Sequence, residues 1–172
     1  MIELVFGRFP PVERRGLVAI LGFGAVMLAI RLLLAQPFWA SGQTRWISFP
    51  TKIATSTTYL FENVFVLHFG LFDMPIPFPL LTAHVTAMAE IVLPVLIVLG
   101  LLTRLGALAL FAMTVVIQLV FPDAFFNATD PMNSHALWMA YAVVLVVCGP
   151  GVFSLDFLLR RIGLRRASVP SA

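Results

Sequence analysis

Residues 17–39, LVAILGFGAVMLAIRLLLAQPFW, hold a single ionisable side chain, Arg31, in 23 positions. A helix of that length rises about 34 Å at 1.5 Å per residue. The hydrocarbon core of a bilayer is about 30 Å thick, so the stretch reads as a membrane-crossing helix. It is longer than the roughly 7–15 apolar residues of a secretory leader, and Arg31 interrupts it. The sequence therefore predicts a retained helix rather than a cleaved one.

Three further runs follow the same pattern. They cover about residues 81–102 (LTAHVTAMAEIVLPVLIVLGLL), 105–121 (LGALALFAMTVVIQLVF) and 134–153 (SHALWMAYAVVLVVCGPGVF). Gly149-Pro150-Gly151 breaks or ends the last one. The expected fold class is all-α: a polytopic membrane protein, a four-transmembrane-helix bundle with a long extracytoplasmic loop between its first two helices. Composition agrees. Of the 172 residues 60% are hydrophobic and 11% charged, against about 25% charged in a soluble domain. The net charge of +3 does not point to nucleic acid, because the basic residues sit at the ends of apolar runs. The one cysteine, Cys148, excludes a disulfide, a CxxC pair or an iron–sulfur cluster made by this chain alone.

With four spans, the N-terminus, the 102–105 turn and the C-terminus share a side that carries Arg8, Arg14, Arg15, Arg104, Arg160, Arg161, Arg165 and Arg166. The other side carries only Arg45 and Lys52. The positive-inside rule puts the arginine-rich side, and both termini, in the cytoplasm. Residues 158–172 are expected to form a basic cytoplasmic tail after a single domain of residues 1–157. Leu158 to Arg166 (LLRRIGLRR) reads as an amphipathic interfacial segment facing anionic headgroups or as a solvated tail, and residues 167–172 read as disordered. In the loop of about residues 40–80, Thr58 to Leu71 is expected to form a short interfacial helix. Asp73-Met74-Pro75-Ile76-Pro77-Phe78-Pro79 reads as an extended return to the second span.

Ionisable groups inside a span cost several kcal/mol unless paired, which singles out Arg31 and Glu90. Measured from the midpoints of their spans, Arg31 lies about 4–5 Å and Glu90 about 2 Å toward the outer side. That predicts an Arg31–Glu90 ion pair in the bundle interior, either as a structural lock or as a ligand- or proton-handling site. Inward stripes are expected at Gly24, Leu28, Arg31 and Ala35; at Ala83, Ala87, Glu90 and Pro94; and at Ala107, Phe111, Thr114 and Gln118. Gln36, His84, Gln118 and His135 fall in the outer halves of their spans, and Ser41, Gln43 and Arg45 follow just beyond the first. Together they predict a polar pocket open to the extracytoplasmic face, with Arg31 and Glu90 at its floor. Trp39, Trp46 and Trp138 are expected as an aromatic belt. His84 and His135 could in principle ligate haem or a metal, but they sit near headgroup depth without an HxxxH spacing, so neither is predicted. No Walker loop, GxGxxG, GxSxG or HExxH is present.

Three segments carry a family resemblance. Arg31-Leu32-Leu33-Leu34-Ala35 with Phe38, Ser41-Gly42 and a basic residue at Arg45 resembles the opening signature of the DoxX family. Glu90 followed by Leu99-Gly100-Leu101-Leu102-Thr103-Arg104 resembles its second signature, and Gly149-Pro150-Gly151 with Ser154-Leu155-Asp156 resembles the end of one bacterial branch. The likeness covers about residues 30–157. It departs from the family pattern in having arginine at Arg45, where lysine is usual, and Pro94 in place of glycines after Glu90. The resemblance implies a four-helix protein of the bacterial inner membrane, from a family named for a quinol oxidase or thiosulfate–quinone oxidoreductase and linked to oxidative-stress complexes.

The expected function is a quinone-linked subunit of a membrane oxidoreductase or stress-response system. Its partners would be membrane lipid, a quinone and a membrane or periplasmic oxidoreductase. The quinone head would meet Arg31, Glu90, Gln118 or His84. The chain shows no redox centre of its own, so enzymatic activity stays open, as does a homo-oligomer. The alternatives are a non-enzymatic membrane accessory or scaffold protein and, ranked last, a small proton-coupled transporter.

Overall fold

The computed structural model describes residues 16–167, with side chains through 162. Arg8, Arg14, Arg15 and the expected disordered tail beyond 167 lie outside the described residues. The chain forms α1 (Leu17–Thr44), a hairpin β1 (Trp46–Ser48) and β2 (Lys52–Ile53), α2 (Thr55–Asn63), a second antiparallel hairpin β3 (Val66–His68) and β4 (Asp73–Pro75), α3 (Pro79–Leu99), α4 (Thr103–Val120), α5 (His135–Cys148) and α6 (Leu155–Ala167). Short 3-10 turns, Pro122–Ala124 and Pro131–Asn133, join α4 to α5.

Four helices close a ring: α1 packs on α3, α3 on α4, α4 on α5, and α5 back on α1. The chain is an all-α membrane protein. Three helices, α1, α3 and α4, are long and apolar enough to cross a bilayer, and α5 is a shorter apolar helix of 14 residues. The expected stripes face inward: Gly24, Arg31 and Ala35 on α1, Ala83, Ala87, Glu90 and Pro94 on α3, and Ala107 and Thr114 on α4 are buried. Leu34, Phe38, Ile97, Leu110, Ala142 and Leu145 fill the centre. Most other apolar side chains point outward, Val85, Val92, Leu108 and Val116 among them. Outward apolar groups suit hydrocarbon as the surrounding solvent.

The first loop is more structured than its composition suggests. The helix expected over Thr58 to Leu71 covers Thr55–Asn63 instead, and the chain then turns into β3. The stretch from Asp73 returns extended, as expected, and pairs with β3. Phe61, Leu67 and Ile76 of this loop pack on Ala83, against Leu119 and Val120. The loop thus covers the outer part of α3 and α4, because α1 ends short of it.

The opposite end is held by one carboxylate. Asp156 is buried and accepts hydrogen bonds from the backbone N–H of Leu102 (2.8 Å) and Thr103 (2.9 Å) and from the Thr103 hydroxyl (3.0 Å). It therefore caps α4 from a distant point in sequence, where no local residue does. Leu102 holds a left-handed φ of 50°, a strained conformation for leucine that a fixed N–H partner helps to hold. The Asp156 N–H donates in turn to Gly100 O (2.9 Å).

Asp156→Ala removes the cap and strands two backbone donors. It should lower stability by about 2–4 kcal/mol, since caps are worth about 1–2 and an unsatisfied buried donor about 1–3. Thermal or denaturant unfolding of the purified protein in mild detergent measures it. A loss under about 0.5 kcal/mol, the size of an ordinary surface effect, would remove Asp156 from this role.

Candidate functional site

Glu90 does not pair with Arg31. Arg45 reaches it instead, with Nε 3.1 Å from Oε2 and Nη2 3.5 Å from Oε1. The Glu90 side chain is 3% exposed and that of Arg45 16%. Arg45 also donates to the Ser41 hydroxyl (3.3 Å) and lies over the Phe61 ring. Its carbonyl accepts from the Ala54 N–H and the Thr57 hydroxyl, which ties the first hairpin and α2 to the pair. Trp46 Nε1 donates to Ala87 O at 3.2 Å, so this indole is an internal strut rather than a belt residue.

Pro94 and Gly42 explain how α1 approaches so closely. Pro94 has no N–H, so the Glu90 carbonyl loses its helical donor. Gly42 packs directly there: a Cβ at this position would lie 2.8 Å from Glu90 O. Only glycine leaves room for that contact.

Arg31 lies elsewhere. Its Nη1 donates to Val98 O (3.3 Å) and its Nη2 to Phe153 O, and it is fully buried. It braces the same end that Asp156 holds, and a side chain on Gly100 would collide with its Nη1. The expectation failed on register. α1 runs to Thr44, beyond the 39 assumed, so Arg31 stands level with the end of α3 and Arg45 stands level with Glu90.

The other expected pocket residues separate too. Gln118 and His135 meet, with Oε1 and Nδ1 2.6 Å apart, and Gln118 also donates to Pro122 O (2.7 Å). His135 packs against Trp138, whose Nε1 donates to Met132 O. His84 is not a pocket residue: it lies on the exposed face of α3, bonded to Leu80 O of its own helix (2.7 Å). Gln36 is also exposed, and it stands near Val95 and Val98 rather than in the outer half. The single polar pocket resolves into the Arg45–Glu90 pair, the Gln118–His135 pair and a lateral groove.

That groove, about 390 Å³, lies between α1 and α3 and is lined by Leu32, Ala35, Gln36, Trp39, Pro94, Val95, Val98 and Leu99. Its walls are almost wholly apolar, and Gln36 and Trp39, one helical turn apart, are the two lining residues whose side chains carry N–H groups. Among the described residues neither donates a hydrogen bond to a protein group. Sequence reasoning placed Gln36 in a central pocket and Trp39 in the belt. The i, i+3 spacing of an amide and an indole beside Pro94 was the signal for the groove. Asp156 was quoted only as part of a motif, and its capping role needs the fold to be seen. Among the described residues no group of histidine, cysteine and carboxylate side chains could hold a metal.

Arg45→Gln leaves Glu90 buried without a counter-charge and should cost about 3–5 kcal/mol, while Arg45→Met with Glu90→Leu should recover most of it. Arg31→Met and Glu90→Gln should combine additively within about 0.5 kcal/mol, since they share no partner. Unfolding of the single and double variants decides both. A larger Arg31–Glu90 coupling would mean that these two side chains meet after all.

The DoxX family model matches residues 26–123. A protein of Haemophilus influenzae described as an uncharacterized protein is 30% identical over 150 residues, covering 83% of this chain and 88% of its own. No solved structure matches the chain. On these two matches the chain belongs to the DoxX family.

Proposed function

We propose that this DoxX-family membrane protein is a quinone-linked subunit of a membrane oxidoreductase or stress-response system, and that the quinone enters sideways from the bilayer into the α1–α3 groove. The supporting observation is the groove's lining. An apolar trough with Gln36 and Trp39 at its edge suits a flat ring with carbonyl acceptors and an isoprenoid tail. The Gln36 amide would donate to a carbonyl, the Trp39 indole would donate or stack, and Leu32, Val95, Val98 and Leu99 would line the tail. A bare amide facing hydrocarbon is costly, so a ligand that accepts its hydrogen bond binds with that penalty relieved. This differs from the head-group contacts expected at Arg31, Glu90, Gln118 and His84, which are engaged or point elsewhere. Electrons would come from a partner protein, with this chain holding the quinone.

The topology proposed with it is four crossings in a bacterial inner membrane, the 99–103 turn and both termini being cytoplasmic. Its support is the excess of arginine at that end. A second reading, a non-enzymatic scaffold, draws support from the opposite end. There Ile47, Phe49, Leu71, Phe72 and Phe126 are exposed on the loops and could receive a partner.

Purification in mild detergent, extraction of bound small molecules and mass spectrometry should find a quinone near one per chain. Gln36→Leu should weaken quinone affinity by about tenfold, the value of roughly one hydrogen bond in a dry site, and so lower the retained quinone without unfolding the bundle. An empty wild-type preparation that stays folded would move the assignment to the scaffold.

A further inference from the structure

We propose that α6 is a docking helix for anionic phospholipid headgroups on the leaflet at its own end of the bundle. Two of its features are independent of the groove and of any quinone. The first is its stripe. Leu155, Leu158, Leu159 and Ile162 follow i, i+3, i+4, i+7 spacing, and they are 37%, 50%, 50% and 44% exposed. The next positions of the same stripe, three and four residues on, are Arg165 and Arg166. Two apolar turns therefore lead into a basic one, and Arg161 is exposed beside them. The only acidic residue of the helix, Asp156, is turned inward and used as the cap of α4. The exposed face is thus apolar and positive, without a compensating carboxylate.

The second feature is the surroundings. α1 continues for 14 residues before Arg31, from Leu17, as an apolar helix at this same end, where Gly24 packs on Val152 and Phe153. Leu17 is 70% and Val18 84% exposed. The exposed apolar surface of α1 therefore runs on past the 99–103 turn, where α6 begins. A helix anchored there by Asp156 meets the acyl boundary with its leucines, and the arginines that follow them in sequence carry the charge that lipid phosphates attract. The charge complementarity selects anionic lipid over a neutral surface.

The full-length chain, with Cys148→Ser, would be placed in nanodiscs of phosphatidylcholine alone or mixed with phosphatidylglycerol. Nitroxides at Leu159→Cys and Arg161→Cys would be read for accessibility to oxygen and to a water-soluble nickel chelate. With phosphatidylglycerol, the 159 label should become oxygen-accessible and nickel-protected, and the 161 label should stay at the boundary. Each arginine near an anionic surface contributes about 1 kcal/mol, so Arg165→Gln with Arg166→Gln should lower the docked-to-undocked ratio roughly 30-fold. Bundle stability, measured alongside, should not change. Equal protection in both lipids would overturn the proposal, because headgroup charge would then play no part. So would nickel access in both lipids, or protection that appears only when a soluble acidic protein is added.

Discussion

The end of the bundle at the α3–α4 turn depends on the carboxylate of Asp156. Three donors at the start of α4 converge on it, and it comes from the far side of α5. Without it the turn between α3 and α4 would present bare N–H groups to a low-dielectric interior, which costs more than any local hydrogen bond returns. The surrounding residues fit that geometry. Gly100 and Leu102 adopt left-handed conformations, Arg31 fills the space over Gly100, and Gly151 lies against Met27. Arg31 is buried and donates to two carbonyls, those of Val98 and Phe153, rather than to an acid. Among the described residues its Nε has no partner, and neither does the Nε of Arg104. This end is not fully satisfied.

The other charged contact obeys a different logic. Arg45 and Glu90 form a near-bidentate pair, partly open on the arginine side. A pair of that kind fixes register, since sliding α1 by one turn along α3 would separate the charges by about 5 Å. Gly42 and Pro94 reinforce the same register from the backbone. The two devices lie at different levels of α1, 14 residues apart. Together they set both its height and its rotation against α3.

Much of this was legible in the sequence. The helices came from apolar length, the inward stripes from 3.6-residue periodicity, and Glu90 from the cost of a charge in a span. The pairing was not legible. Matching span midpoints assumes that every helix occupies the same slab, and α1 violates that: it starts lower and ends beside the middle of α3. The clue was available in Arg45, a basic residue placed just past the first span where a second basic residue had no evident use. Gln118 and His135 were correctly placed on one side and do meet. Gln36 and His84 were misassigned because a polar residue in an apolar run was read as inward-facing. Helical phase argues otherwise for Gln36, which lies on the face opposite Leu34 and Phe38. The covering role of the first loop was invisible because short hairpins leave little periodicity to read.

These assignments constrain where a ligand could act. Glu90 and Asp156 accept from groups of this chain, Arg45 and Arg31 donate to them or to carbonyls, and Gln118 is committed to His135 and Pro122. A ligand entering the bundle centre would have to break one of these contacts and leave a charge or amide bare, at several kcal/mol. The lateral groove demands no such exchange, because the Gln36 amide and the Trp39 indole have nothing to give up. Binding free energy is therefore available at the lipid-facing rim and withheld in the core. The Arg45–Glu90 pair and the Arg31 contacts at Val98 then fix α1 against α3, the two helices that form the groove.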